Sequence, residues 1–242
     1  MTWLYNFLFI ALPYVALTVF LIGTIYRYRG TKFKFSSLSS EFLEGKKLFW
    51  GSVPFHWSII ILFFQHLTAF LVPDAILVWN AHPLRLLILE VTSFILGITA
   101  FVGLFFLIFR RTTTSRVRAV TTSMDLILEG LLFIQIFLGL WVAYGYRWGS
   151  SWFASALSPY LKSIFYLNPQ IDVVAAAPLV IQLHIALAFV IVLLVPFTRL
   201  VHLLVYPLAY IWRPYQRVMW YWSKDKIRNP KTPWTIFPPK NN

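Results

Sequence analysis

Two histidines, His56 and His66, bracket "FHWSIIILFFQH", a run that is otherwise almost pure hydrocarbon. Two more, His184 and His202, close the ends of "HIALAFVIVLLVPFTRLVH". A lone histidine in a membrane helix is most often structural and donates to a carbonyl, but polar residues in lipid are functional candidates by default. Four in two segments shift the reading towards ligation. The first pair is 10 residues apart, about 15 Å along a helix axis. The second is 18 apart, five whole turns and about 27 Å, so its rings share a face. If the two segments pack antiparallel, His56 meets His202 and His66 meets His184. Two imidazoles facing across a bundle core suit an axial bis-histidine haem, because iron coordination compensates for their burial. Zinc wants three or four converging donors, and neither pair has an Asp, Glu or Cys nearby. The two rises differ by roughly 12 Å, which asks for tilt, a slanted haem or a kink at Pro196. Gly97, Gly103, Gly130, Gly139 and Ala186 are small enough to admit a porphyrin plane.

The elements that must position these rings are membrane helices. The chain has 242 residues, 59% hydrophobic, 19% aromatic and only 12% charged, too apolar for a soluble domain of this size. It has no cysteine, which excludes disulfides, thiolate-held zinc, iron–sulfur ligation by this chain and cysteine nucleophiles. Segments 3–26, 50–72, 84–109, 120–144 and 179–206 are each long and apolar enough to cross a bilayer. The expected fold is all-α, an integral membrane bundle of five transmembrane helices. No basic stretch precedes the first segment and no small-residue cleavage motif follows it, so it reads as a retained helix. The net charge is +13, and 18 of the 21 Lys and Arg fall in 27–47, 110–118 and 199–240. Only Arg85, Arg147 and Lys162 fall on the other side. The positive-inside rule then puts the N-terminus outside and the C-terminus in the cytoplasm. Topology accounts for the basic excess, so nucleic acid is not an expected partner. Between the last two spans, "WGSSWFASALSPYL" is amphipathic and reads as a short interfacial helix. Residues 1–218 form the expected membrane domain. Residues 219–242, with "NPKTPWTIFPPKNN", form a cytoplasmic tail suited to a protein partner or the membrane surface.

The stretches "PYVALTVFLIG", "YRYRG", "FHWSI", "RVRAVTTSMDLIL", "IQIFLGL", "LHIALAFVIVLLVPFTRLVH" and "YIWRPYQ" carry a resemblance. The chain resembles the gamma subunit of respiratory nitrate reductase, the membrane cytochrome b of that complex, up to about Val218. The resemblance implies five spans with the N-terminus outside and two b haems in the cell membrane. It assigns the outer haem to His66 and His184 and the inner haem to His56 and His202, as the spacing does. It implies that quinol is oxidised near the outer haem. Electrons then pass to the inner haem, to an iron–sulfur (beta) subunit and to a molybdenum-containing (alpha) subunit that reduces nitrate. It also places a cationic quinol-site residue at Arg85, where well-known members carry lysine. Two other departures are Gln65, where such members have glycine, and Gln182, where they have arginine.

Further residues have two readings each. Arg85 and His66 are the candidate catalytic residues of quinol oxidation, but an interfacial arginine also snorkels to headgroups. Glu90 lies one to two turns deeper and either relays protons or pairs with Arg85. His82 assists the same site or is a solvated loop residue. Arg110, Arg111, Arg116 and Arg118 suit haem propionates or acidic partner faces, or report topology alone. Arg199, three residues before His202, is the strongest propionate candidate. The same module could serve a selenate, chlorate or nitrite-oxidising system, or run towards quinone reduction. A reading of another class is a haem-free transporter or anchor, which a flat absorption spectrum would favour.

Overall fold

In the computed structural model, residues 2–31 and 46–205 are described, and every element among them is helical. The tail, its proposed boundary at 218 and most of the first basic loop lie outside the described residues. Five helices are long and apolar enough to cross a membrane: Trp3–Gly30, Leu48–Leu71, Pro83–Thr113, Ser123–Gly145 and Leu179–Phe197, hereafter spans one to five. This is the all-α five-span bundle expected from hydropathy. With no water to satisfy the backbone in hydrocarbon, helices are the natural solution.

Local chemistry sets the ends. Span three begins with Pro83 in the first turn, where its missing N–H costs nothing. Span four opens on a capping box: the Thr122 side chain accepts from the Asp125 amide, and the Asp125 carboxylate accepts from the Thr122 amide. Span three runs 31 residues to Thr113, longer than a bilayer requires, as its sequence suggests.

The fifth span departs from expectation. Its α-helix ends at Leu194, a 3₁₀ turn covers Val195–Phe197, Thr198 is extended at φ −117°, and a second 3₁₀ turn covers Arg199–Val201. His202 opens a new short helix. The break falls at the kink site that Pro196 offered, and five uninterrupted turns do not join His184 to His202. Pro196 removes one backbone donor and clashes with the preceding turn. The Thr198 hydroxyl then accepts from the Leu200 amide and restarts the chain.

Spans two and three make the most extensive pairing. Their backbones touch at Gly103, where a Cβ would lie 2.8 Å from the Phe55 nitrogen and 2.9 Å from the Gly51 oxygen. Small residues permit such close approach between membrane helices, whose attraction is mainly van der Waals packing. Large apolar side chains such as Trp57, Phe64 and Phe105 are exposed on the outside of the bundle, as a lipid-facing surface demands.

The 146–178 connection closes one end, here called the cap end. Its helix Ser158–Phe165 buries Tyr160 and Ile164 with Phe9 of span one and Ile181 of span five. The Tyr160 hydroxyl donates to the Phe9 carbonyl at 2.9 Å, and Tyr14 donates to the Ile164 carbonyl at 3.0 Å. Burial pushes the Tyr160 phenol well above its ordinary pKa, which keeps it a neutral donor. The Ser158 hydroxyl lies 3.0 Å from the Ala69 carbonyl. The amphipathic segment thus packs its apolar face on the bundle.

Candidate functional site

At the end opposite the cap, the rings of His56 and His202 face each other with centroids 6.1 Å apart and planes 62° apart. His56 Nδ1 lies 2.7 Å from the Ser52 carbonyl oxygen, one turn earlier, and 3.1 Å from the Ser52 hydroxyl. His202 Nδ1 lies 2.6 Å from the Arg199 carbonyl. The break in span five makes this second contact, because the 3₁₀ turn aims the Arg199 carbonyl at the ring. An Nδ1–H donated to a carbonyl fixes the tautomer and leaves the Nε2 lone pair for a ligand or metal.

An ionic cluster stands behind this pair. Arg199 Nε donates to Asp125 at 2.7 Å, and its Nη2 donates to the Val120 carbonyl at 3.3 Å. Arg111 donates to Glu129 at 2.6 Å, lies 3.5 Å from Asp125 and bonds the Thr121 hydroxyl at 3.2 Å. Asp125 is therefore shared by a helix cap and two arginines. Arg110 is buried, whereas Arg116 and Arg118 are exposed. Sequence reasoning missed Asp125 and Glu129. The T-x-x-D pattern at 122–125 was a legible capping signal, but nothing local ties Asp125 to Arg199, 74 residues away.

At the cap end, His66 Nδ1 lies 2.8 Å from the Leu62 carbonyl, the same arrangement as in His56. The Phe153 ring meets it edge-on at 5.7 Å. His184 stands on span five. Its own bonding differs. Gln135 Nε2 donates to the His184 carbonyl at 3.1 Å and stands 3.5 Å from its Nε2. His184 Nδ1 is buried with no hydrogen-bond partner among the described residues. Gln135 was also missed as a site residue, although an amide in "LLFIQIFLGL" is itself a signal.

Arg85 and Glu90, two of the expected quinol-site residues, have different partners in the structure. Arg85 is exposed, its guanidinium 5.4 Å from the Trp79 ring centroid, a cation–π distance. Glu90 does not pair with it. The Glu90 carboxylate accepts from the Gly149 and Ser150 amides at 3.2 and 2.9 Å, and from the Ser150 hydroxyl at 2.6 Å. These bonds hold the turn in which Trp148 takes φ 64°, a left-handed conformation costing about 1–2 kcal/mol for a residue with a Cβ. Asn80 adds bonds to Ser150 and Ser151 at 2.9 and 3.0 Å. His82 is exposed and occupies the N-cap position of span three with no capping bond from its side chain. Gln65 accepts from Ser93 at 3.1 Å, and Gln182 donates to the Ala175 and Ala177 carbonyls at 3.1 and 2.8 Å. Both glutamines thus fasten neighbouring segments.

Fold and site together define a polytopic helical membrane protein whose polar interior is built on histidines. The model of the family described as nitrate reductase gamma subunit matches residues 5–221. The nitrate reductase gamma chain of Bacillus subtilis is 31% identical over 213 residues, covering 84% of this chain and 93% of that one. The respiratory nitrate reductase 2 gamma chain of Escherichia coli is 32% identical over 209 residues, covering 85% and 92%. The nitrate reductase-like protein NarX of Mycobacterium tuberculosis is 32% identical over 218 residues, covering 84% of this chain but 32% of that longer protein. The chain belongs to the nitrate reductase gamma subunit family, as its motifs suggested, and is a subunit of a nitrate reductase complex.

Proposed function

We propose that this chain is the quinol-oxidising electron-transfer subunit of that complex and holds two b haems in the cell membrane. His56 and His202 hold one; His66 and His184 hold the other. The facing of His56 and His202 carries the reading. Two ring nitrogens each about 2 Å from one metal ion put their ring centroids roughly 6 Å apart, and these stand 6.1 Å apart. Both rings tie Nδ1 to a carbonyl, which leaves Nε2 as the donor an axial ligand needs.

A haem bound at each pair supplies a one-electron carrier whose potential the imidazoles and their hydrogen-bond partners tune. The chain's own residues do the rest. Ser52, Leu62 and Arg199 orient rings through their carbonyls. Phe153 packs its ring against an edge of His66. Arg85, at the start of span three, offers guanidinium donors to a quinol oxygen and leaves the stack on Trp79 to do so. Arg199 bonds Asp125 through its guanidinium and faces His202 with its carbonyl, and its positive charge suits a haem propionate beside that ring. With the positive-inside orientation, the cap end faces outward. Arg116 and Arg118 then face the cytoplasm, where an iron–sulfur subunit and a molybdenum subunit receive the electrons.

The test is a reduced-minus-oxidised spectrum of the purified chain, with haem counted as the pyridine haemochrome. About two haems per chain are expected. A flat spectrum from haem-replete membranes would sink the reading. His66→Ala is expected to remove the cap-end haem and stop quinol oxidation. His56→Ala is expected to spare that haem and block onward transfer.

A further inference from the structure

We propose that Gln135 is the positioning residue of His184, and that its side-chain carbonyl serves this ring as backbone carbonyls serve the other three histidines. The proposal rests on the dihaem reading above.

Two buried polar atoms on this bonded pair of residues have no partners among the described residues: His184 Nδ1 and Gln135 Oε1. One is a donor when Nε2 is a ligand, and the other is an acceptor. Leaving each unsatisfied costs about 1–3 kcal/mol, and hydrocarbon offers no water to relieve it. The Gln135 amide is already anchored to the same residue, its Nε2 donating to the His184 carbonyl at 3.1 Å. That bond keeps Oε1 within reach of the ring. In the proposed arrangement the imidazole turns about its Cβ–Cγ bond to bring Nδ1–H to Oε1, which satisfies both atoms and takes Nε2 from the amide nitrogen that now stands 3.5 Å away. Gly139, one helical turn beyond Gln135, makes the space. A Cβ there would stand 3.1 Å from His184 Cε1, so any side chain would crowd the ring. The "IQIFLGL" stretch therefore supplies a grip and a gap, four residues apart on one face of span four.

The partner type matters to the metal. An acceptor on Nδ1–H raises the basicity of the ligand and favours the oxidised ion. Removing it favours the reduced form and raises the midpoint. The other three rings, held by main-chain oxygens, are untouched by any substitution at Gln135.

Redox titration of the purified full chain, followed in the α-bands, tests this. His66→Ala identifies which band belongs to the His66/His184 haem. Gln135→Leu is expected to shift the reduced-to-oxidised ratio of that haem by about tenfold, about 59 mV for one electron, with the other haem unmoved. Gln135→Glu keeps an acceptor and is expected not to raise the midpoint. Loss of that haem in Gln135→Leu with its retention in Gln135→Glu gives the same answer. The proposal is overturned by unmoved midpoints with both haems bound, or by equal shifts in both haems. A rise in Gln135→Glu, or loss of both haems in both variants, overturns it too. A wild-type chain that binds no haem removes the dihaem reading instead, so the two failures are distinguishable.

Discussion

At the scale of single residues, the chain repeats one device. His56, His66 and His202 each bring Nδ1 to a main-chain oxygen three or four residues earlier. The donor is satisfied by the same helix for His56 and His66 and by the 3₁₀ turn just before it for His202, so each ring is oriented before any ligand arrives. Asp125 does comparable work at the opposite end from the cap. It holds its own helix start, and through Arg199 it steadies the turn whose carbonyl faces His202. Asp125→Ala removes a cap and a charged hydrogen bond together. The expected loss is about 1–3 kcal/mol, read as a fall in the detergent unfolding midpoint. An unchanged midpoint would mean the cluster is incidental to stability.

At the scale of elements, the decisive features are one contact and one break. Spans two and three meet backbone to backbone at Gly103, and backbone cannot swing aside as a side chain can. Gly103→Ala should therefore cost about 1–3 kcal/mol through overpacking. Gly130 is the internal control, since nothing lies within 4 Å of a Cβ there. Gly130→Ala should be neutral or raise stability by about 0.5–1 kcal/mol, because Ala favours the helix. Equal effects of the two substitutions would contradict the packing described here. Gly103 and Gly130 looked alike in the sequence as small residues that could admit a porphyrin. The break at Pro196–Thr198 was legible as a kink site. That it turns the Arg199 carbonyl onto His202 was not.

For the whole molecule, the distribution of charge sets the expected direction in the membrane. The chain has no cysteine, so single introduced thiols report topology cleanly. Arg116→Cys and Asn168→Cys occupy exposed positions on connections at opposite ends of the bundle. In intact cells, an impermeant maleimide should label Asn168→Cys and spare Arg116→Cys until the membrane is opened. The reverse pattern would invert the orientation and move the cap end to the cytoplasm.

The sequence by itself determined the number of spans, the expected orientation and the four histidines. Each follows from local composition, helical rise and the cost of polar groups in lipid, none of which needs a fold. It read Glu90 and Arg85 as a possible pair because they are near in sequence. Only the tertiary structure gave Glu90 to the Gly149–Ser150 turn and Arg85 to Trp79, since those partners come from other segments. It alone joined Asp125 to Arg199 and set Gln135 beside His184. The physical reason is common to all these cases. A helix's own periodicity states which face a residue occupies, but the partner across the bundle depends on where backbones can approach and where a helix breaks.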